Sequence, residues 1–78
     1  MKLTIVSPEQ TLFDGEVEIV TLPGTKGRFT VLPHHDALIS TLTSGVIRYV
    51  SDGQEVLLPV SAGYVEILHD IVSVCIKH

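Results

Sequence analysis

The residues best suited to chemistry lie in the segment GRFTVLPHHDAL, residues 27–38, where two adjacent histidines and an aspartate follow a proline. Such a cluster could bind a metal ion, act as an acid–base pair or form a contact surface. Adjacent residues of an extended chain point to opposite sides, so His34 and His35 could chelate one ion only from a distorted loop. We therefore predict that these histidines bind no functional metal.

The other reactive side chains lack the companions that catalysis requires. Asp36 beside His35 resembles an acid–base dyad, but no serine or second carboxylate stands in a motif that would complete it. Cys75 lies between two apolar residues of an expected strand, without the electropositive setting that activates a thiol. His69 and His78 lie far along the chain, and we interpret them as exposed loop and terminal residues. We predict no catalytic residue.

Composition excludes several classes of partner. The chain has 78 residues, which is the size of one domain spanning 1–78, and a formal net charge of -4. Its five Lys and Arg residues are scattered singly, so we expect no binding to nucleic acid or to an acidic membrane. The sequence contains neither an apolar run of membrane-spanning length nor a signal segment, and a single cysteine allows no internal disulfide. We expect a soluble chain that does not insert into a membrane.

Turn signals divide the sequence into short segments. Asp14-Gly15, Asp52-Gly53 and Ser44-Gly45 predict hairpin turns, because aspartate and glycine tolerate the positive φ of the tightest hairpins. Residues 23–27, PGTKG, predict a longer loop with two solvated cations nearby, since the spacing of a phosphate-binding loop is absent. Residues 33–36 predict another loop, because proline cannot donate to a central β-ladder.

The segments between these turns have the two-residue period of half-buried strands. Apolar and polar residues alternate in EVEIVTL (16–22), YVEIL (64–68) and IVSVCIK (71–77). VIRYV (46–50) and EVLLPV (55–60) are more uniformly apolar, which favours central strands or strands that face a partner. No window keeps helical spacing. We therefore predict an all-β fold, a two-sheet β-sandwich of short and mostly antiparallel strands.

Four short motifs occur in a specific order along almost the whole chain. Their members are Val6, Ser7, Glu9, Phe13 and Gly15; then Gly27, Pro33, His35 and Leu38; then Leu42, Gly45, Ile47 and Arg48; and finally Ser61, Gly63 and Glu66. In this order and spacing the sequence resembles the N-terminal β-sandwich domain of the epsilon subunits of proton-translocating ATP synthases, called delta in mitochondria. Several positions depart from the family pattern: His34 replaces a usual glycine, Asp36 and Ala37 replace a small residue and a proline, and Arg28 replaces a frequent acidic residue.

The resemblance implies a non-catalytic role in the rotor, which clamps the gamma subunit to the c-ring for proton-driven rotary ATP synthesis. It implies a position at the cytoplasmic face of the bacterial plasma membrane, as a peripheral part of the complex, and no cofactor. The gamma contact would involve Ser7, His35, Leu38 and Ile39. The contact with the polar loops of the c-ring would involve Thr25, Arg28 and Thr30, at another edge of the domain.

Three further expectations depend on this resemblance. The family's C-terminal helical hairpin is expected to be absent, because the chain stops at the last predicted strand. A positive charge at Arg28 would repel a basic c-ring loop, so either that loop has changed or the contact uses other atoms. The alternative function is a free-standing small β-sandwich binding module, such as a cupin-like metal binder, although the His-x-His ligand spacing of cupins is absent.

Overall fold

The computed structural model describes residues 1–77, and every regular element in that range is a β-strand. The strands are β1 (Lys2–Val6), β2 (Thr11–Glu16), β3 (Ile19–Gly24), β4 (Gly27–Val31), β5 (Leu38–Leu42), β6 (Gly45–Ser51), β7 (Gln54–Val60), β8 (Ala62–Leu68) and β9 (Ile71–Lys77). The predicted all-β fold is confirmed. A search of the described residues for a helix capable of spanning a membrane finds none.

The strands form one hydrogen-bonded path that curls into two layers. The order is β2-β1-β9-β8-β5-β3-β6-β7, with β4 paired to the free side of β3. Between β5 and β3 the path is held by the single pair Gly24 and Leu42, and there it folds over. Phe13 of β2 and Tyr49 of β6 meet with ring centroids 4.5 Å apart, which brings the two halves face to face. The predicted β-sandwich is therefore confirmed, and every strand pair is antiparallel except β1 with β9.

The core lies between the layers and contains no buried polar side chain among the described residues. Alternating residues of both layers contribute to it, because successive side chains of a strand point to opposite faces. Its largest fully buried members are Leu3, Ile5, Leu22, Ile47 and Ile67, with Val20, Val31, Val65, Val72 and Val74. The alternation predicted for YVEIL and IVSVCIK is confirmed, since Val65, Ile67, Val72, Val74 and Ile76 all face inward.

Only one of the predicted two-residue hairpins is present as such. Asp52 and Gly53 join β6 to β7 with φ values of 51° and 73°, as both central residues of a type I′ turn require. Asp14-Gly15 is not a turn, because both residues lie inside β2 and pair with β1. Ser44-Gly45 is not a hairpin either, because it links β5 to β6, which are not neighbours.

The remaining loop boundaries differ from the predictions in length. Residues 33–36 lie in the predicted loop between β4 and β5. The turn predicted over residues 23–27 is shorter, because only Thr25 and Lys26 lie outside β3 and β4. The strand predicted over residues 16–22 is interrupted: β2 ends at Glu16, β3 starts at Ile19, and the buried positions change phase between Val17 and Val20.

A turn without glycine joins β8 to β9 and anchors the histidine loop. His69 and Asp70 both have positive φ values, 50° and 63°. The Asp70 carboxylate accepts a hydrogen bond of 2.9 Å from the His34 backbone N–H. This bond lowers the pKa of the Asp70 carboxyl below its ordinary value, because it stabilises the charged form. The loop between β4 and β5 is thereby tied to the far end of β8.

His34 has a backbone conformation that suits glycine better than histidine, with φ 68°. A residue with a side chain destabilises the folded state by about 1–2 kcal/mol in this left-handed region. Glycine avoids that strain, but its greater conformational entropy stabilises the unfolded chain by about 0.4–1 kcal/mol. We expect His34→Gly to raise the free energy of unfolding by about 0.5–1 kcal/mol in urea denaturation. His35→Gly is the matched control, since His35 has no positive φ, and it should lower stability. Equal changes in both variants would contradict this explanation.

Candidate functional site

The histidine loop does not assemble a metal site in the described part of the chain. His34 is exposed, while His35 is half-buried and its ring Nδ1 donates to the carbonyl oxygen of Asp36 at 2.7 Å. Within residues 1–77, no three His, Cys, Asp or Glu side chains come close enough to hold an ion. His69 occupies the β8–β9 turn, and His78 lies outside the described residues.

The prediction that His34 and His35 bind no functional metal can be tested by thermal melting. Replacing both with alanine should leave the difference in Tm between zinc and chelator unchanged, because neighbouring positions diverge and no third ligand joins them. A rise of Tm with zinc in the parent chain that disappears in the double variant would contradict the prediction.

One side of the first layer carries exposed apolar side chains. We call this side of β1, β9, β8 and β5, turned away from the core, the outer face. The strand register places Ile39, Tyr64, Leu68 and Ile71 on it. Ile39 is 74% exposed and Tyr64 is 54% exposed. Leu68 pairs directly with Ile71, and the exposed Glu66 lies between Leu68 and Tyr64 on the same face. Exposed apolar patches of this kind often mark a partner site.

Ser7 borders the outer face at its other side. Its amide donates to the carbonyl oxygen of Gln10 at 2.8 Å, which closes a turn between β1 and β2. Beside it a hollow of about 450 Å³ is lined by Val6, Pro8, Tyr64 and Cys75, among others. Two strands, β9 and β8, separate β1 from β5, so Ser7 and Ile39 are roughly 14 Å apart in the hydrogen-bonding direction and are also offset along the strands. Both can contact a single broad partner.

Leu38 supports the core and is also partly exposed at the surface. It is half-buried and packs against the core cluster, opposite Ile67 of β8. The rest of its side chain stays open to solvent. Because it also supports the core, a charged substitution there would disturb the fold as well as any contact. Ile39 is therefore the better position at which to test binding alone.

The β3–β4 hairpin holds the second set of predicted contact residues. Thr25 lies at its tip, where its amide donates to the Thr41 carbonyl at 3.1 Å and the two hydroxyls lie 2.8 Å apart. Arg28 donates from Nη1 to the Val46 carbonyl at 2.7 Å, so its guanidinium is fixed against β6. Thr30 is exposed on β4, with its hydroxyl 3.0 Å from that of Thr21.

A groove of about 630 Å³ separates this hairpin from β5 and is lined by residues 24–29 and 38–41. Arg28 and Ile39, which were expected at different edges of the domain, therefore border the same groove. The bond between Thr25 and Thr41 brings the hairpin tip against β5 and so places the two edges beside each other. The two predicted contact sets form adjoining surfaces.

Sequence reasoning missed three members of the outer face. Tyr64, Leu68 and Ile71 occupy strand positions that alternate with the core, and the alternation alone predicts a polar face there. The signal available in the sequence was that YVEIL has apolar side chains on both of its faces: Val65 and Ile67 on one, and Tyr64 and Leu68 on the other. Such a strand has two faces to cover, and the core covers only one.

Comparisons with known proteins give a consistent picture. The family model for the β-sandwich domain of the ATP synthase delta/epsilon chain matches residues 1–78. The ATP synthase epsilon chain of Sulfurovum sp. (strain NBC37-1) is 48% identical over 68 residues, covering 86% of this chain and 53% of that protein. The epsilon chain of Leptospira interrogans (strain Fiocruz L1-130) is 35% identical over 78 residues, covering 100% of this chain and 61% of that protein. The chain thus spans little more than half the length of these curated relatives.

Solved structures share the fold at low sequence identity. A chain in the Euglena gracilis mitochondrial ATP synthase, solved as OSCP/F1/c-ring, matches with a TM-score of 0.90 at 19% identity, covering 97% of this chain and 49% of that one. A chain in the central stalk and c-ring of the Tetrahymena thermophila mitochondrial ATP synthase matches with a TM-score of 0.84 at 16% identity, covering 100% of this chain and 63% of that one. At these identities the likeness shows the fold alone.

Proposed function

The chain belongs to the family of ATP synthase delta/epsilon β-sandwich domains, and from this premise we propose that it clamps the gamma subunit to the c-ring in the central stalk. The role is structural rather than catalytic, and it serves proton-driven rotary ATP synthesis. The domain 1–78 would sit at the cytoplasmic face of the bacterial plasma membrane as a peripheral part of the complex. The observation that carries the proposal is the exposed apolar outer face adjoining the hairpin groove.

The outer face is the surface we assign to gamma. Ile39 is its most exposed large apolar side chain, and Tyr64, Leu68 and Ile71 extend the apolar area along β8 and β9. Protein interfaces are typically centred on such apolar and aromatic side chains, with polar residues at the rim. We assign Ser7 and His35 to that polar rim, whereas Leu38 faces the core and would contribute only through the part of its side chain that stays exposed.

The hairpin is the surface we assign to the c-ring. Thr25 and Thr30 present hydroxyl groups, and Arg28 presents a guanidinium, all on exposed positions. Such groups suit contact with the polar loops of another protein rather than burial in lipid. The hydrogen bonds from Thr25 to Thr41 and from Arg28 to Val46 attach this surface to strands of both layers.

The fold is suited to transmitting force between these surfaces. The hairpin is bonded to β5, and β5 is paired along its whole length with β8 of the outer face. Backbone hydrogen bonds therefore connect the two surfaces through β5. Transmission of force along this connection requires no titrating group. The cupin-like alternative gains no support, because the described side chains bring no three potential ligands together.

The test is direct binding to a purified gamma subunit, followed by addition of the c-ring. We expect the 78-residue chain to co-purify with tagged gamma through size exclusion, and the pair to bind c-rings more tightly than gamma alone does. Absence of a complex between the chain and gamma would overturn the proposal. An unchanged affinity of gamma for the c-ring would overturn the clamping role.

A further inference from the structure

The groove between the β3–β4 hairpin and β5 is positively charged in a chain that is negative overall. The sequence has five Lys and Arg against nine Asp and Glu, yet Lys26 and Arg28 both line this groove, and no Asp or Glu within residues 1–77 does. Lys2 pairs with Asp14, and Arg48 pairs with Glu55. In the described part of the chain, Lys26 and Arg28 form no such pair.

The Arg28 side chain is held in place without being neutralised. Its Nη1 donates to the Val46 carbonyl oxygen, a neutral acceptor, at 2.7 Å. A guanidinium has five N–H donors, so most of them stay available to a partner. Fixing the side chain in advance also lowers the entropy that a partner must overcome on binding. This geometry is typical of a cation arranged to receive an anionic group.

The opposite wall of the groove, β5, combines the half-buried Leu38 and the largely exposed Ile39 with the hydroxyl groups of Ser40 and Thr41. Phe29, which is half-buried, adds apolar surface on the hairpin side. A free phosphate or carboxylate would use the two cations only, and exposed ion pairs contribute only about 0.2–1 kcal/mol each. A peptide loop would add apolar contact to the same ion pairs. The combination therefore favours a protein segment over a small anion.

We propose that this groove receives an acidic loop of a partner protein, with a carboxylate between Lys26 and Arg28 and an apolar side chain against Leu38 and Ile39. The inference rests on the proposed stalk function, since the hairpin is the surface assigned there to the c-ring. The sequence leaves two alternatives for Arg28: a changed c-ring loop, or a contact through other atoms. The proposal selects the first, in which the loop is acidic and contacts the Arg28 guanidinium itself.

The probe is a capped peptide, Gly-Asp-Leu-Asp-Gly, titrated into the isotope-labelled 78-residue chain and followed by NMR amide shifts. We expect shifts confined to residues 24–29 and 38–41, and affinity that weakens as salt is raised. The peptide Gly-Lys-Leu-Lys-Gly should bind at least about fivefold more weakly, as two exposed ion pairs imply. The double variant Lys26→Glu, Arg28→Glu should reverse this preference. Lys77→Gln removes a cation outside the groove and serves as the matched control.

Several results would overturn the inference. Equal binding of both peptides, equal effects of Lys77→Gln and Arg28→Gln, or shifts outside the groove would each do so. Inorganic phosphate that matches the acidic peptide in affinity and shifts would mean an anion site instead. Preferential binding to vesicles of anionic phosphatidylglycerol would mean a lipid surface. Gamma binding is measured separately, so its failure concerns the stalk function, whereas peptide failure with gamma bound concerns the groove alone.

Discussion

Gly63→Ala should lower the free energy of unfolding by about 3 kcal/mol, the upper end of what overpacking costs. An added Cβ would lie 2.3 Å from the Cys75 carbonyl oxygen and 3.1 Å from the Ile76 Cα. Both are backbone atoms of the neighbouring strand, so relief requires β8 and β9 to separate. A domain of this size is stable by only roughly 4–12 kcal/mol. Urea denaturation should show the loss of free energy, and thermal melting should show a Tm lower by roughly 12–24 °C.

Gly15→Ala is the matched control, because Gly15 also lies inside a paired strand. Its added Cβ would meet the Phe13 ring tip at 3.2 Å, and a side-chain tip can move by the few tenths of an ångström required. We expect a loss of less than about 1 kcal/mol. Similar losses in both variants would show that the close approach at Gly63 is not what makes glycine necessary there.

Ile39→Asp should weaken binding of the proposed gamma partner by more than about tenfold without changing Tm. Burying one side chain of this size contributes roughly 1.5–3 kcal/mol, and an aspartate in the contact would also lose its hydration. Ile39 is 74% exposed, so the free chain should tolerate the charge. Titration calorimetry against purified gamma measures the change, and melting of the free chain checks the fold.

Leu57→Asp provides the control for that experiment. Leu57 is 60% exposed but lies on β7, an edge strand of the other layer. The same change of chemistry at a similarly exposed site should leave gamma binding intact. If Leu57→Asp weakened binding as much as Ile39→Asp, or if neither did, the outer face would be the wrong surface.

The fold class and the core follow from local pattern, whereas the turns do so only in part. Alternating valines and isoleucines in β8 and β9 specify which side faces inward, because a strand offers only two. The dipeptide Asp-Gly occurs twice, yet only Asp52-Gly53 turns, since Asp14-Gly15 pairs with β1 instead. A partner strand far away in sequence decides that outcome. The turn at His69 and Asp70 lacks glycine and gave no such signal.

The candidate site depends on contacts that spacing cannot indicate. Thr25 and Thr41 are distant in sequence, and their hydrogen bonds, together with the pairing of Gly24 with Leu42, bring the hairpin tip to β5 and create the groove. The residues expected to contact gamma and the c-ring came from the family resemblance, one position at a time. Sequence pattern alone did not reveal that Lys26 and Arg28 line the same groove as Ile39.

The parallel pairing of β1 with β9 has a consequence for the chain as it leaves the ribosome. One side of the first strand, Lys2–Val6, pairs with β2 at once, but its other side finds a partner only in Ile71–Lys77, which inserts between β1 and β8. Nearly the whole domain must therefore be synthesised before its first layer can close, and pairing over such separations is slow. Until then β1 and β8 each present an unpaired edge, and such edges readily pair with other chains. Translation that stalled before Ile71 would leave a nascent chain prone to aggregation, although β1 to β8 had already been synthesised.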